Sequence, residues 1–485
     1  MANNDKSFLD KVLNMVKEET SKDVPLIQFK HPKELEKILD LDVTKGVSDE
    51  KLEVCVRQIL QFSVKTNKAT FRNQLYGALD PYGLAGAWVA EAFNTSQYTF
   101  EVAPAFTLIE LKIINHILKL FGIPDGDGIF SPGGSMSMMY AVVAARYNAF
   151  PDVKRNGMWN LPKMILFTSK DSHYSIMKAA HWLGLGTDCV RVIKADERGV
   201  MVTEALNKAI EEEIEANNIP LLVNATAGTT VLGAIDDLQS IAATCKKFGV
   251  WLHVDACWGG SLILSSKYRY RLKGIEQADS VSWNPHKMVG VPLQCSVFLV
   301  RKRGLLHRAN AAAAQYLFQQ DKFYDVSYDT GDKSVQCGRK IDAFKLWLLW
   351  KARGDSGLER LTDRVMHIAE FCMASIASRE GFRLVHDQLD CPNVCFWYIP
   401  RFMRGHDENQ QWWELMHKIT PKIKELLTLS SQLMVAYSPV REYKNFFRLA
   451  FTFHPLLEEW QVINMLDAVE LCGEQVTSTM IHDDK

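Results

Sequence analysis

An α/β fold is predicted by this sequence: a mainly parallel sheet covered by helices, followed by a smaller α+β unit toward the carboxyl terminus. Two observations carry the prediction. Between about residues 128 and 300, short aliphatic and β-branched runs alternate with helical patterns, and the runs lack the polar alternation of a sheet with one wet face. After about residue 347, helical patterns alternate instead with aromatic-rich runs of antiparallel type.

Taken in order, residues 1–81 are expected to form a helical amino-terminal segment. In Phe8-Leu9-Asp10-Lys11-Val12-Leu13-Asn14-Met15-Val16, apolar side chains recur at three and four residues, the helical period. From Phe71 to Gly83 the chain is polar and aromatic, richer than a linker requires and of the kind that lines a site. A large unit is expected at 82–346, opening with a helix from about Ala103 to Phe121 that has Pro104 in its first turn and Gly122 after its end. Its predicted strands start at Met164, Val190, Leu221, Val250, Val281 and Ser296, with helices from Met136, Ser175, Val202 and Leu238 among them. The small unit, 347–485, is entered through the apolar helical run from Phe344 to Trp350. It has strands predicted around Val394–Ile399 and Asn445–Phe451, and a helix from Trp412.

Composition narrows the function. The chain has 485 residues, 47% of them hydrophobic and 23% charged, enough for a large core and two or three domains. A net charge of -1 supplies no field for nucleic acid or an anionic membrane, which points to a small-molecule site. Met1 to Lys6 lack the apolar core of a signal peptide and no uncharged span is long enough to cross a bilayer, so a cytoplasmic protein is expected. Ten scattered cysteines, with no closely spaced metal-type pair, read as reduced and mostly buried thiols.

The chemistry centres on Ser280-Val281-Ser282-Trp283-Asn284-Pro285-His286-Lys287. A strand that stops at Asn-Pro would leave Lys287 at the carboxyl edge of the sheet, where α/β enzymes work. Trp283, Pro285 and Met288 hem the amine in, and desolvation leaves such an amine nucleophilic. On this stretch alone a structural lysine is an equal reading.

Four other features fall at the same edge. Gly133-Gly134-Ser135 opens a helix, offering amides and a hydroxyl to a phosphate, although such a triplet is more often a plain cap. His173 follows one strand, and a lone histidine is more often merely packed. Thr229 and Thr230 follow another strand through Gly228, and Asp255 ends a strand that otherwise demands burial. Pyridoxal 5'-phosphate needs this set: a lysine, a carboxylate for its ring nitrogen, a phosphate cradle and a flat group over the ring. Trp182-Leu183-Gly184-Leu185-Gly186 ends a helix rather than opening one, which argues against a dinucleotide fingerprint. No nucleotide P-loop occurs, and His253 with Cys257 lacks further zinc-ligand spacing, so no metal is expected.

Together these residues resemble the group II pyridoxal-phosphate amino-acid decarboxylases, in the branch holding glutamate, cysteine-sulfinate and aspartate decarboxylases. The resemblance rests on Asn284-Pro285-His286-Lys287, His253-Val254-Asp255, Asn224-Ala225-Thr226-Ala227-Gly228-Thr229-Thr230, Ser172-His173-Tyr174 and the stretch from Tyr324 to Lys333. It implies a fold type I homodimer. It also implies that Lys287 binds the cofactor covalently, Asp255 pairs with the ring nitrogen and His173 stacks on the ring. Gly134, Ser135, Thr230 and Asn284 would be further cofactor contacts. Tyr324 would lie on a mobile catalytic loop reaching the partner subunit's site, and Gln74 and Arg448 would hold the substrate.

Departures from the family pattern bear on the substrate. Gln74-Leu75-Tyr76 stands where glutamate decarboxylases have Gln-Leu-Ser, and Thr95-Ser96-Gln97-Tyr98 where they have Thr-Asn-Met-Phe. Both changes are similar to the cysteine-sulfinate branch, which marks Tyr76 and Ser96 as substrate-side residues. The expected reaction is therefore decarboxylation of cysteine sulfinate to hypotaurine, of aspartate to β-alanine, or of both. Glutamate decarboxylation and a catalytically silent binding paralogue are the alternatives. Arg72 and Cys257 also depart from common family residues.

Overall fold

The computed structural model describes residues 3–21, 23–477 and 480. Met1 and Ala2, the first residues of the stretch read for a signal peptide, lie outside them. Strand β1 is Phe71–Arg72, and β2 to β8 follow at Asp127–Ser131, Met164–Ser169, Val190–Ile193, Ile219–Thr226, Trp251–Asp255, Ser280–Trp283 and Ser296–Val300. Strands β9 to β12 are Phe382–Leu384, Asn393–Tyr398, Met434–Val440 and Tyr443–Ala450.

The larger sheet has seven strands in the order β2-β8-β7-β6-β5-β3-β4. Strand β8 pairs antiparallel with both neighbours while the other pairings are parallel, so one strand runs against six. Every residue of β2, β3, β6, β7 and β8 is buried, as the apolar runs predicted for a sheet covered on both faces. Asp237 caps the helix Leu238–Phe248 by accepting from Ser240 N, and Gly249 ends it with φ 68. This helix has the expected bounds, and the helix Pro104–Leu120 has its proline in the first turn as read from the sequence.

The smaller sheet has five strands in the order β1-β11-β12-β10-β9. Its β1 comes from the segment expected to be a loop before the large unit, and it pairs parallel with Met434–Val435. The two sheets are joined by polar contacts as well as by packing. Trp258 Nε1, from the loop after β6, donates to Asn393 Oδ1 of β10 at 2.6 Å, and Asn393 Nδ2 donates to the Thr230 and Val231 carbonyls at 3.2 and 3.0 Å. The helical stretch Asp342–Ala377 leading into the smaller sheet breaks at Gly354, where φ is 64 and ψ is 174. All ten cysteines are free, eight of them buried.

Candidate active site

The carboxyl ends of β2, β3, β5, β6 and β7 converge on a cavity of about 260 Å³. Seven residues singled out in the sequence line it together: Gly134, Ser135, His173, Thr230, Asp255, Asn284 and Lys287.

Lys287 is held by the turn that ends β7. Its backbone N–H donates to the Asn284 carbonyl at 2.9 Å, and its own carbonyl accepts from Gly290 N at 3.3 Å. Gly290 has φ 81, a left-handed conformation that closes the turn without strain. Asp255 stands at the end of the neighbouring β6. Burial alone would raise its carboxyl, but the Lys287 ammonium, the Cys257 thiol and backbone N–H, and His253 outweigh it and hold the group below its ordinary value. The Cys257 N–H donates to Asp255 Oδ1 at 3.1 Å. Beneath it, His253 is fully buried with Nδ1 2.9 Å from Ser280 Oγ, and burial pushes its imidazole down to about 4, so it is neutral at pH 7.

His173 lies in the turn after β3. Its Nδ1 accepts from Ser175 N at 3.2 Å, which puts the proton of the neutral ring on Nε2. Burial lowers its pKa, with Asp255 opposing and Lys287 and Lys178 adding to the shift. Gly133, at φ 95, turns the chain from β2 into the helix Gly134–Ala149. A Cβ on Gly134 would sit 2.8 Å from Cys257 Sγ and 3.0 Å from Asn284 Nδ2, so only glycine keeps the helix start this close to the cavity.

The two threonines of the loop after β5 divide. Thr229 Oγ1 accepts from Ala234 N at 3.0 Å and serves the turn, whereas Thr230 faces the cavity. Thr226, Tyr174 and His286, quoted in the motifs but given no role, also line it, as does Trp258, which no motif marked. Thr226 stands inside the motif Asn224 to Thr230 at the end of β5, which is the signal that could have marked it beside the expected Asn284. Both carry a buried oxygen, Thr226 Oγ1 and Asn284 Oδ1, with no hydrogen-bond partner among the described residues. Orphaned polar atoms around a cavity call for a polar ligand.

A second cavity, of about 360 Å³, lies on the other side of the Thr230–Val231 turn and brings Gln74 and Arg448 together. Arg448 was expected to meet either a structural acid or a substrate. Its guanidinium donates to the Thr230 and Asn73 carbonyls at 2.8 and 2.7 Å, Nε is buried without a partner, and no carboxylate pairs with it among the described residues. Tyr76 lines neither cavity within one chain, and its ring lies 6.2 Å from that of Phe71. Ser96 and Tyr324 also stand apart: Ser96 Oγ accepts from Arg339 N at 3.0 Å, and the Tyr324 ring packs 5.3 Å from Phe100. Of the two other departures, Cys257 lines the first cavity, its thiol pushed well up by burial and by Asp255. Arg72 is buried with Nη2 unpartnered and its guanidinium 6.0 Å from the Phe451 ring.

An amine, an ionised buried carboxylate, a neutral imidazole and a glycine-headed helix start suit one cofactor, and the class they define is an enzyme working through pyridoxal phosphate. Residues 32–399 match the family described as the pyridoxal-dependent decarboxylase conserved domain, and the chain belongs to that family of carboxy-lyases. It is 49% identical to human cysteine sulfinic acid decarboxylase over 89% of this chain and 87% of the relative. It is 45% identical to the acidic amino acid decarboxylase GADL1 of Xenopus tropicalis, over 93% of this chain and 88% of the relative. The crystal structure of mouse CSAD superposes with a TM-score of 0.95 at 43% identity, covering 98% of this chain and 100% of that one. Fold type I and the pyridoxal phosphate cofactor, both read from the sequence, stand.

Proposed function

We propose that this chain removes the α-carboxylate of a short acidic amino acid, cysteine sulfinate or aspartate, releasing carbon dioxide and the corresponding amine. The observation that carries the substrate class is Arg448: a buried guanidinium whose Nε has no partner and which meets no acid among the described residues, lining a cavity with Gln74. An arginine so placed is costly unless an anion meets it. The names of the human and Xenopus relatives, a cysteine sulfinic acid and an acidic amino acid decarboxylase, support the same class.

Bound pyridoxal phosphate supplies the sink for the electron pair that carbon dioxide leaves behind. The side chains divide the remaining work. Lys287 would hold the cofactor covalently, and Asp255, ionised in the same cavity, would keep the ring nitrogen protonated. Gly134 and Ser135 present the helix start to the phosphate, with Thr230 and Asn284 as further polar contacts. His173, which lines the same cavity, would be the flat group over the ring. Gln74 and Arg448 orient the substrate, with Tyr76 and Ser96 limiting its length.

The same reading makes the protein a cytoplasmic homodimer, organised as segments 1–81, 82–346 and 347–485. Tyr324 would reach the partner subunit's site, as the resemblance implies. Ten free thiols support a reducing compartment. No helix among the described residues is long and apolar enough to cross a membrane. Carbon dioxide release from cysteine sulfinate, aspartate and glutamate, measured side by side, tests the proposal. Turnover of the first two above the third is expected, preference for glutamate would move the chain to the neighbouring branch, and turnover of none would favour a silent paralogue.

A further inference from the structure

The helix Gln410–Leu429 sends Lys424 into the cavity that Arg448 lines. Its Nζ donates to Asn73 Oδ1 and to the Val435 carbonyl, while Arg448 Nη2 donates to the carbonyl of the same Asn73. Two cations thus grip one residue from opposite atoms, and neither has a carboxylate partner among the described residues. Burial, with Arg448 adding to it, pushes the Lys424 ammonium down to about 8, so the group feels its neighbour's charge. Arg448 is 7% exposed and its Nε has no partner, which leaves a buried donor available to a ligand. A like-charge pair costs free energy unless an anion sits between the two, and both Asn73 contacts go to neutral oxygens.

We infer that Lys424 is a substrate-binding residue: with Arg448 it forms a two-cation clamp for the side-chain acid of the substrate. The inference rests on the acidic-substrate reading above and goes beyond it by assigning a residue no motif marks. The two cations suit different parts of the task. A guanidinium is a planar fork matched to a planar carboxylate, whereas an ammonium is a compact charge with freely rotating donors. A sulfinate's two oxygens share a plane with sulfur as a carboxylate's do with carbon, but its carbon lies out of that plane, and a point charge from a second direction accepts either acid. Lys424 would act on binding and not on the bond that breaks.

Two measurements on the full-length holoenzyme test this. Steady-state kinetics with cysteine sulfinate should show KM raised about tenfold or more in Lys424→Gln, with kcat little changed and Lys424→Arg recovering most of the loss. Succinate, an acid without an amine, should bind the wild type and bind Lys424→Gln more weakly by calorimetry. Unchanged KM and succinate affinity in Lys424→Gln, or a fall in kcat alone, would overturn the clamp. In the wild type, brief acetylation read by mass spectrometry covers the case of a variant that does not fold: saturating succinate should protect Lys424, and unaltered labelling would also overturn the proposal. If the wild type decarboxylates none of the acidic substrates, the substrate reading fails by itself, and the succinate measurements still judge Lys424.

Discussion

The Tyr324 hydroxyl donates to Asp329 Oδ1 at 3.0 Å, and the same carboxylate takes the Phe100 N–H at 2.8 Å and the Lys322 ammonium at 2.8 Å. The loop that carries Tyr324 is thus tied down within its own chain through one acid. A phenol that donates to a carboxylate is oriented by it.

Tyr324→Phe removes that hydroxyl and little else, so cofactor and substrate binding should persist. If Tyr324 delivers the proton to the α-carbon, amine yield per substrate consumed should fall and a carbonyl by-product should appear in its place. Product analysis by chromatography decides the matter. Normal amine yield would move the donor role to Tyr328 or His173.

Lys287→Ala should abolish turnover and leave the protein folded, because the residue is half-buried on a turn held by backbone hydrogen bonds that the substitution keeps. Circular dichroism should match the wild type. Borohydride treatment should fix cofactor to the wild type and not to the variant; cofactor fixed to the variant would place the attachment elsewhere.

Tyr76→Ser, alone or with Ser96→Asn, should raise kcat/KM for glutamate relative to aspartate. Glutamate carries its acid one methylene further out, and a methylene is worth about 10–200-fold in specificity. An unchanged ratio would mean that the ring, 6.2 Å from Phe71, only packs.

Acid sensitivity should come from two histidines. Burial pushes both His253 and His286 from 6.5 down to about 4, so the unfolded chain binds protons that the folded one refuses. Their stabilising contribution is complete above pH 6.5 and is lost as pH falls from 6.5 to 4, by roughly 3 kcal/mol each at most. Thermal unfolding across that window should show Tm falling with pH, and His253→Gln should flatten the fall. An equal slope in the variant would assign the loss to other groups.

What could be read from the sequence was what local pattern encodes. The covered strands appear as apolar runs, and Asn284-Pro285 places Lys287 at a strand end without tertiary information. Strand β2 carries no strand pattern of its own because it opens on Asp127 and Gly128, both poor strand formers. A Cβ on Gly128 would meet the Phe298 carbonyl at 2.9 Å, so the glycine marks close backbone approach to β8, and Asp127 is drawn into the strand by an ion pair with Lys333 at 2.8 Å. Strand β1 escaped because its partner, Met434–Val435, is far along the chain and two residues carry no period. Lys424 reads as one more lysine on a helix face in Pro421-Lys422-Ile423-Lys424-Glu425; only the fold brings it beside Arg448.

The parallel pairing of β1 with β11 has a mechanical meaning. Gln74 follows β1 by two residues and Arg448 lies on β12, so both ride on the smaller sheet, while Lys287 and Asp255 belong to the larger one. Any rocking of one sheet against the other, about the Asn393 contacts to Thr230 and Val231, changes the reach between the cofactor lysine and the acid-binding arginine. The spacing of Gln74 and Arg448 stays the same throughout such a movement. Substrate length is then gauged by how two rigid bodies dock, and substitutions in that seam should alter chain-length preference without touching a ligand-binding side chain.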